Sequence, residues 1–312
     1  MRRLRWILPL MVVAAVANAR NADGILDIII TPNNGVPAII APGEAFEATL
    51  TARASLRLVD TDGDTVALEP EWSDLPGGLH RATCTISSKL AVGMYALEAV
   101  TEGHTDTNVR SVYIASMLSD YPIVHITDVH IGKADRDPAP KAMFERLIEH
   151  VNGIKAAFVL ISGDVTENGT PEQFRTFIEI LDTCVLPTFV CAGNHDRQGL
   201  NYEKTFGPLV YSFQYGPDGF LVFDTKDFIT ADNLGPQVSR LQRLRRAIKP
   251  SRWSIGMTHR YEPSMSMRSQ LVLFIDDPLD CLIFGHWHRE SEQRGLPWGA
   301  TPIVVTPAAV DG

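Results

Sequence analysis

Five short stretches carry side chains that could do chemistry together. They are Asp128 and His130 in "TDVH", Asp164 in "SGDVTENG", Asn194, His195 and Asp196 in "AGNHD", His259 closing "RWSIGMTH", and His286 and His288 in "LDCLIFGHWH". Carboxylate, carboxamide and imidazole each offer a lone pair to a cation. Such a mixture suits Mn, Fe, Zn or Co better than a thiolate-seeking metal or calcium. Each stretch alone has a plainer reading. Asn and Asp tolerate turn conformations, and Gly163-Asp164 is an ordinary turn pair. A turn has no need of the His195 imidazole between Asn194 and Asp196. Five of the nine histidines fall in these stretches, a concentration that points to a metal centre.

The elements that must position these residues can be read from the apolar pattern. "IVHIT", "AAFVLISG" and "LPTFVCAG" are near-continuous apolar runs, as in strands covered on both faces. Between them, "PKAMFERLIEHVNGI" places Met143, Phe144, Leu147, Ile148 and Val151 at a helical period. "TPEQFRTFIEILDT" has Thr170 as N-cap, Pro171 at the first position and Glu172 in the first turn. Alternating strands and helices predict parallel strands joined by crossovers. In open α/β sheets ligands bind beyond the carboxyl ends of the strands. Each polar stretch lies at such an end, so distant segments deliver their side chains to one edge.

The chain before this region has a different rhythm. From about 24 to 116, "ILDIII", "AFEATLTA", "LRLVD", "LHRATCTI", "MYALEAV" and "VRSVYIA" alternate with turn-rich pieces. This predicts a β-sandwich of immunoglobulin or fibronectin type. "DTDGDT" (60–65) superficially resembles a calcium loop, but has Thr65 where an EF-hand requires Gly, so it reads as a hairpin turn. Residues 1–19 read as a cleavable signal peptide: basic "MRRLR", a short apolar run and small residues Ala17 and Ala19. A secreted or periplasmic location is expected, with no stable membrane span. The four cysteines (Cys84, Cys184, Cys191, Cys281) sit in or beside apolar strands and read as buried hydrophobes, with a Cys184–Cys191 bridge as the alternative. The formal charge is −9, which argues against general nucleic-acid binding. It leaves room for a small anion held by metal ions.

The order DxH, GD, GNHD, lone His and GHxH resembles the calcineurin-like metallophosphoesterase family over roughly 121–290. The resemblance implies a four-layered α/β/β/α domain at 117–312, preceded by the all-β sandwich at 20–116. It implies hydrolysis of a phosphate ester by a hydroxide activated between two divalent or trivalent transition-metal ions. Seven candidate ligands exceed one tetrahedral site and suffice for two metals sharing a carboxylate. By resemblance, Asp128, His130 and His288 would hold one metal, and Asn194, His259 and His286 the other, with Asp164 bridging. His195 would contact phosphate and protonate the leaving oxygen, and Asp196 would orient His195. Arg260 and Tyr261 are further candidates for substrate contact or for the surface.

One departure stands out. The purple acid phosphatases have a Tyr iron ligand in GDxxY, and here Glu167 occupies that position, so the purple chromophore should be missing. The expected substrate is a small-molecule, lipid or nucleotide phosphate ester. Cyclic-nucleotide or other diester hydrolysis is the alternative enzymatic reading. A non-catalytic metal-binding or attachment protein is the alternative of another class.

Overall fold

In the computed structural model, residues 24–225, 238–261, 278–289, 291–293 and 301–311 are described. The expected signal segment, Met1–Ala19, lies outside them.

The N-terminal part forms two sheets. One contains β1 (Ile29–Thr31), β3 (Ala45–Leu50), β7 (Leu79–Thr85) and β6 (Glu71–Leu75), in that order. The other contains β2 (Ala38–Ile40), β9 (His104–Ile114), β8 (Gly93–Thr101), β4 (Ser55–Val59) and β5 (Thr65–Ala67). Alternation sets the core: Phe46, Ala48 and Leu50 from one sheet meet Tyr95, Leu97 and Ala99 from the other. The "DTDGDT" segment is the β4–β5 hairpin turn. The Asp60 carboxylate accepts from the N–H groups of Asp62 and Asp64, and Gly63 takes φ 89°.

The remaining chain builds two further sheets. Strands β10 (Val124–Ile126), β11 (Val159–Ile161) and β12 (Thr188–Val190) are parallel, joined by helices α1 (Pro140–Asn152) and α2 (Pro171–Leu181). After α3 (Asn201–Phe206), a six-stranded sheet runs β13 (Tyr211–Tyr215), β14 (Asp218–Val222), β15 (Ser254–Met257), β16 (Cys281–Phe284), β18 (Ile303–Val305) and β17 (Ser291–Gln293). Its four inner strands are parallel and both edges antiparallel. Helix α4 (Val238–Ile248) packs on this sheet.

The period of two assigns the layers. Val159 and Ile161 face α1 and α2, where Phe144 stacks on Phe177 at 4.8 Å. Leu160 and Phe189 face the other sheet and meet Val222, Met257 and Ile283. Leu221, Phe223, Leu282 and Phe284 point outward, with Leu241 and Ile248 of α4. This is the expected α/β/β/α stack. Thr170 caps α2, its hydroxyl accepting from Gln173 N–H.

The sandwich docks on the edge of β12. Gly35 bridges Phe189, and Val190 N–H donates to the Gly35 carbonyl at 2.8 Å. Asn34 donates to Asp182, and Arg110 to the Cys184 carbonyl. The contact covers backbone groups that an open sheet edge would leave unpaired. Cys84, Cys184 and Cys191 are buried and Cys281 is half-buried, and the four form no disulfide.

Candidate metal centre

The site forms where β10, β11, β12, β15 and β16 end. Beyond β10 and β11 the chain continues side by side: Asp128, His130 and Ile131 donate their N–H groups to the carbonyls of Gly163, Asp164 and Val165. This pairing brings "TDVH" against "SGDVTENG". Asp128 (φ 55°), His130 (50°), Asp164 (50°), His286 (68°) and His288 (52°) all take left-handed backbone. Among the described residues only Arg110 and Asp135 are other non-glycine examples. Such conformations cost about 1–3 kcal/mol each and cluster where function over-determines the backbone. Gly193 and Gly285 let the loops close: a Cβ on Gly193 would collide with Asp164, and one on Gly285 with Thr127 and Asp128.

Three groups of ligand atoms converge. Asp128, His130 and His288 form one, Asp164, His259 and His286 another, and His130, Asp164 and His195 a third. His288 Nε2 lies 3.2 Å and His130 Nε2 3.6 Å from Asp128 Oδ1. His259 Nε2 lies 3.0 Å from Asp164 Oδ2 and 3.2 Å from His286 Nδ1. His130 Nε2 is 3.8 Å from the same Asp164 oxygen, which therefore stands between the first two groups.

The electrostatics show what these buried carboxylates lack. Burial alone would raise Asp128, but the neighbouring imidazoles of His130, His288 and His259 hold it well below the usual carboxylate range. Asp164 is also lowered, its burial outweighed by His259. Burial should suppress the His259 imidazolium, yet Asp164 and Asp128 push it up to about 9. Burial and then the His259 charge push His286 down to about 4. The cluster thus draws positive charge into a buried place.

The residues fit divalent cations. Asp128 Oδ1, His130 Nε2 and Asn194 Oδ1 are buried without hydrogen-bond partners. An orphaned buried polar atom costs about 1–3 kcal/mol, and bound cations would satisfy these atoms. The donors are oxygen and imidazole nitrogen, as first-row transition metals prefer.

His195 sits at the rim, exposed, its ring 4.9 Å from that of His130. Its N–H donates to Asp164 Oδ1, and its Nδ1 lies 2.7 Å from the Glu167 carbonyl oxygen. The expectation that Asp196 orients His195 is corrected here. Asp196 is fully buried, and its carboxylate accepts from Gly193 N–H, Val165 N–H, Thr166 N–H and the Thr166 hydroxyl. It ties the loop after β12 to the loop after β11, while a carbonyl holds the imidazole. Tyr261 is also corrected: it is buried beside Phe284 in the core, away from any surface role. Arg260 is half-buried, and its charge contributes to lowering His286.

Two carboxylates at the site escaped sequence reasoning as contacts. Glu167 Oε2 lies 2.7 Å from His130 Nδ1, and Asp311 Oδ2 lies 2.7 Å from His288 Nδ1. Glu167 was noticeable as the residue in the tyrosine position, whereas nothing in the local sequence marks Asp311.

The chain belongs to the calcineurin-like phosphoesterase family, whose profile matches residues 121–290. It is therefore a hydrolase acting on phosphoric ester bonds, of a fold that implies divalent metal ions. A probable cyclic nucleotide phosphodiesterase of Vesicomyosocius okutanii is 23% identical over 193 residues, 57% of this chain and 82% of that protein. A probable glycerophosphodiester phosphodiesterase of Arcobacter nitrofigilis is 33% identical over 82 residues, 24% of this chain and 30% of that protein. A purple acid phosphatase from yellow lupin (Lupinus luteus) seeds shares the fold with a TM-score of 0.55 at 15% identity. That likeness covers 87% of this chain, and this chain spans 64% of the lupin enzyme. No helix among the described residues is long and apolar enough to cross a membrane.

Proposed function

We propose that this chain is an exported phosphodiesterase working through a pair of transition-metal ions, Mn, Fe, Zn or Co. The observation that carries the reading is the pair of ligand groups on either side of the Asp164 carboxylate. Asp128, His130 and His288 would hold one ion. Asn194, His259 and His286 would hold the other, with Asp164 shared. When bound, such a pair clamps a phosphate and lowers the pKa of a water. The diester preference is supported by the names of the two bacterial relatives, one for cyclic nucleotides and one for glycerophosphodiesters.

His195 supplies the remaining step. With Nδ1–H donated to the Glu167 carbonyl, its Nε2 is the nitrogen left for substrate. An imidazolium anchored in this way gives its Nε2 proton to the departing alkoxide as the phosphorus–oxygen bond breaks. It is left as the neutral Nδ1–H tautomer. Glu167 and Asp164 together fix this ring and its backbone. Export is proposed on residues 1–19 alone, with cleavage after Ala19. The division near residue 116 is likewise proposed from the change in sequence rhythm.

The test is hydrolysis of bis-nitrophenyl phosphate, a cyclic nucleotide, a glycerophosphodiester and nitrophenyl phosphate, with Mn, Zn, Fe and Co in turn. At least one diester should turn over faster than the monoester. Hydrolysis of the monoester alone would overturn the diester reading, and no hydrolysis with any metal would favour a binding protein.

A further inference from the structure

We propose that Glu167 and Asp311 are positioning residues for the metal at Asp128. Each holds one imidazole by Nδ1, at 2.7 Å, so that the Nε2 atoms of His130 and His288 both face Asp128. A neutral imidazole that donates Nδ1–H to a carboxylate keeps its Nε2 lone pair for a cation. The carboxylate also makes that nitrogen more basic. The inference rests on the two-metal reading above and adds residues outside its ligand set.

Both carboxylates are themselves held. Glu167 N–H donates to the Ile131 carbonyl, and the Glu167 carbonyl is engaged by His195. Asp311 ends the 3-10 turn Ala309–Asp311. That turn docks on the first motif: Ala309 and Val310 donate their N–H groups to the carbonyls of Thr127 and Asp128. Arg136 Nη2 donates to Asp311 Oδ1 at 3.1 Å, leaving Oδ2 for His288. His288 is 30% exposed in its side chain, and the Asp311 contact on Nδ1, opposite Asp128 on Nε2, holds its ring against turning away. His259, in the other group, is backed by the neutral Ser162 carbonyl, at 2.8 Å. Among the described residues, both backing carboxylates stand behind histidines of the Asp128 group.

The experiment titrates metal-free, full-length protein with Zn(II) against a chromophoric chelator. Wild type is compared with Glu167→Gln, Glu167→Ala, Asp311→Asn and Asp311→Ala. Each Ala variant should weaken one of two Zn(II) equivalents by about 10–100-fold, with the shape-preserving Gln and Asn variants in between. The other equivalent and the melting temperature of the metal-free protein should stay as in wild type. In the Co(II)-loaded protein, the visible bands of the weakened equivalent alone should shift. Unchanged affinity for both equivalents overturns the inference while leaving the two-metal reading standing. So does a loss spread over both equivalents together with a fall in metal-free melting temperature. A wild type that takes up no Zn(II) overturns the reading beneath it.

Discussion

Replacing Asp196 by Asn should act on stability rather than on the leaving group. Its two oxygens accept four hydrogen bonds: Oδ2 from Gly193 and Val165 N–H, Oδ1 from Thr166 N–H and the Thr166 hydroxyl. All the facing groups donate. An asparagine can turn its carbonyl to only one side, so in either orientation its amide N–H₂ meets two donors. A buried donor left without an acceptor costs about 1–3 kcal/mol. The Thr166 hydroxyl can rotate, which softens one orientation. The expected loss is therefore about 2–4 kcal/mol, or roughly 4–16 °C in melting temperature at about 2–4 °C per kcal/mol for a large domain. The assay is thermal and urea unfolding of the metal-free variant, alongside relative rates on alkyl and nitrophenyl esters. Relative rates should keep the wild-type ratio in whatever fraction remains folded. A variant as stable as wild type that lost rate selectively on alkyl esters would refute this assignment and restore Asp196 as the orienter of His195.

The other predictions concern the site and one distant carboxylate. His195→Ala should keep its metals and lose on the order of 10²–10⁴ in rate, more for alkyl than for nitrophenyl esters; equal losses on both would make His195 a phosphate binder. Elemental analysis of Asp164→Ala should show both ions depleted and that of Asn194→Ala mainly one; two ions still bound to Asp164→Ala would exclude the bridge. Far from the site, burial would raise Asp218, but hydrogen bonds from Arg252 and Tyr121 outweigh it and lower its pKa below 3.8. A depressed carboxylate stabilises the fold above its unfolded pKa and loses that contribution as pH falls through the folded value. Asp218→Asn should therefore melt below wild type at neutral pH, with the gap closing as pH falls below about 3.8; a gap independent of pH would refute the ionic contribution.

Much of this architecture was legible because burial and chemistry alternate along the chain. Strands such as "AAFVLISG" are apolar where two layers cover them and turn polar where the sheet ends, so Asp128, Asp164 and Asn194 announced one edge. The sandwich was legible where strands alternate, as in β3 and β8. Strands β5 and β6 were not, because their residues are mostly exposed and lack an alternating pattern. Asp196 was misread because neighbours in a turn do not share a direction. His195 points outward, while Asp196 points under the loop to donors about thirty residues back. Tyr261 follows a candidate ligand closely in sequence yet packs into the core. Glu167 and Asp311 reach their histidines across loops, and no local period encodes such a contact.

The central claim is that two ions share Asp164. The most direct measurement is a crystal structure of metal-loaded protein with anomalous scattering recorded at the metal edge. Two peaks should appear about 3.5–4 Å apart, one among Asp128, His130 and His288, the other among Asn194, His259 and His286, both touching the Asp164 carboxylate. A single peak at full metal loading, or a second one away from Asp164, would contradict it.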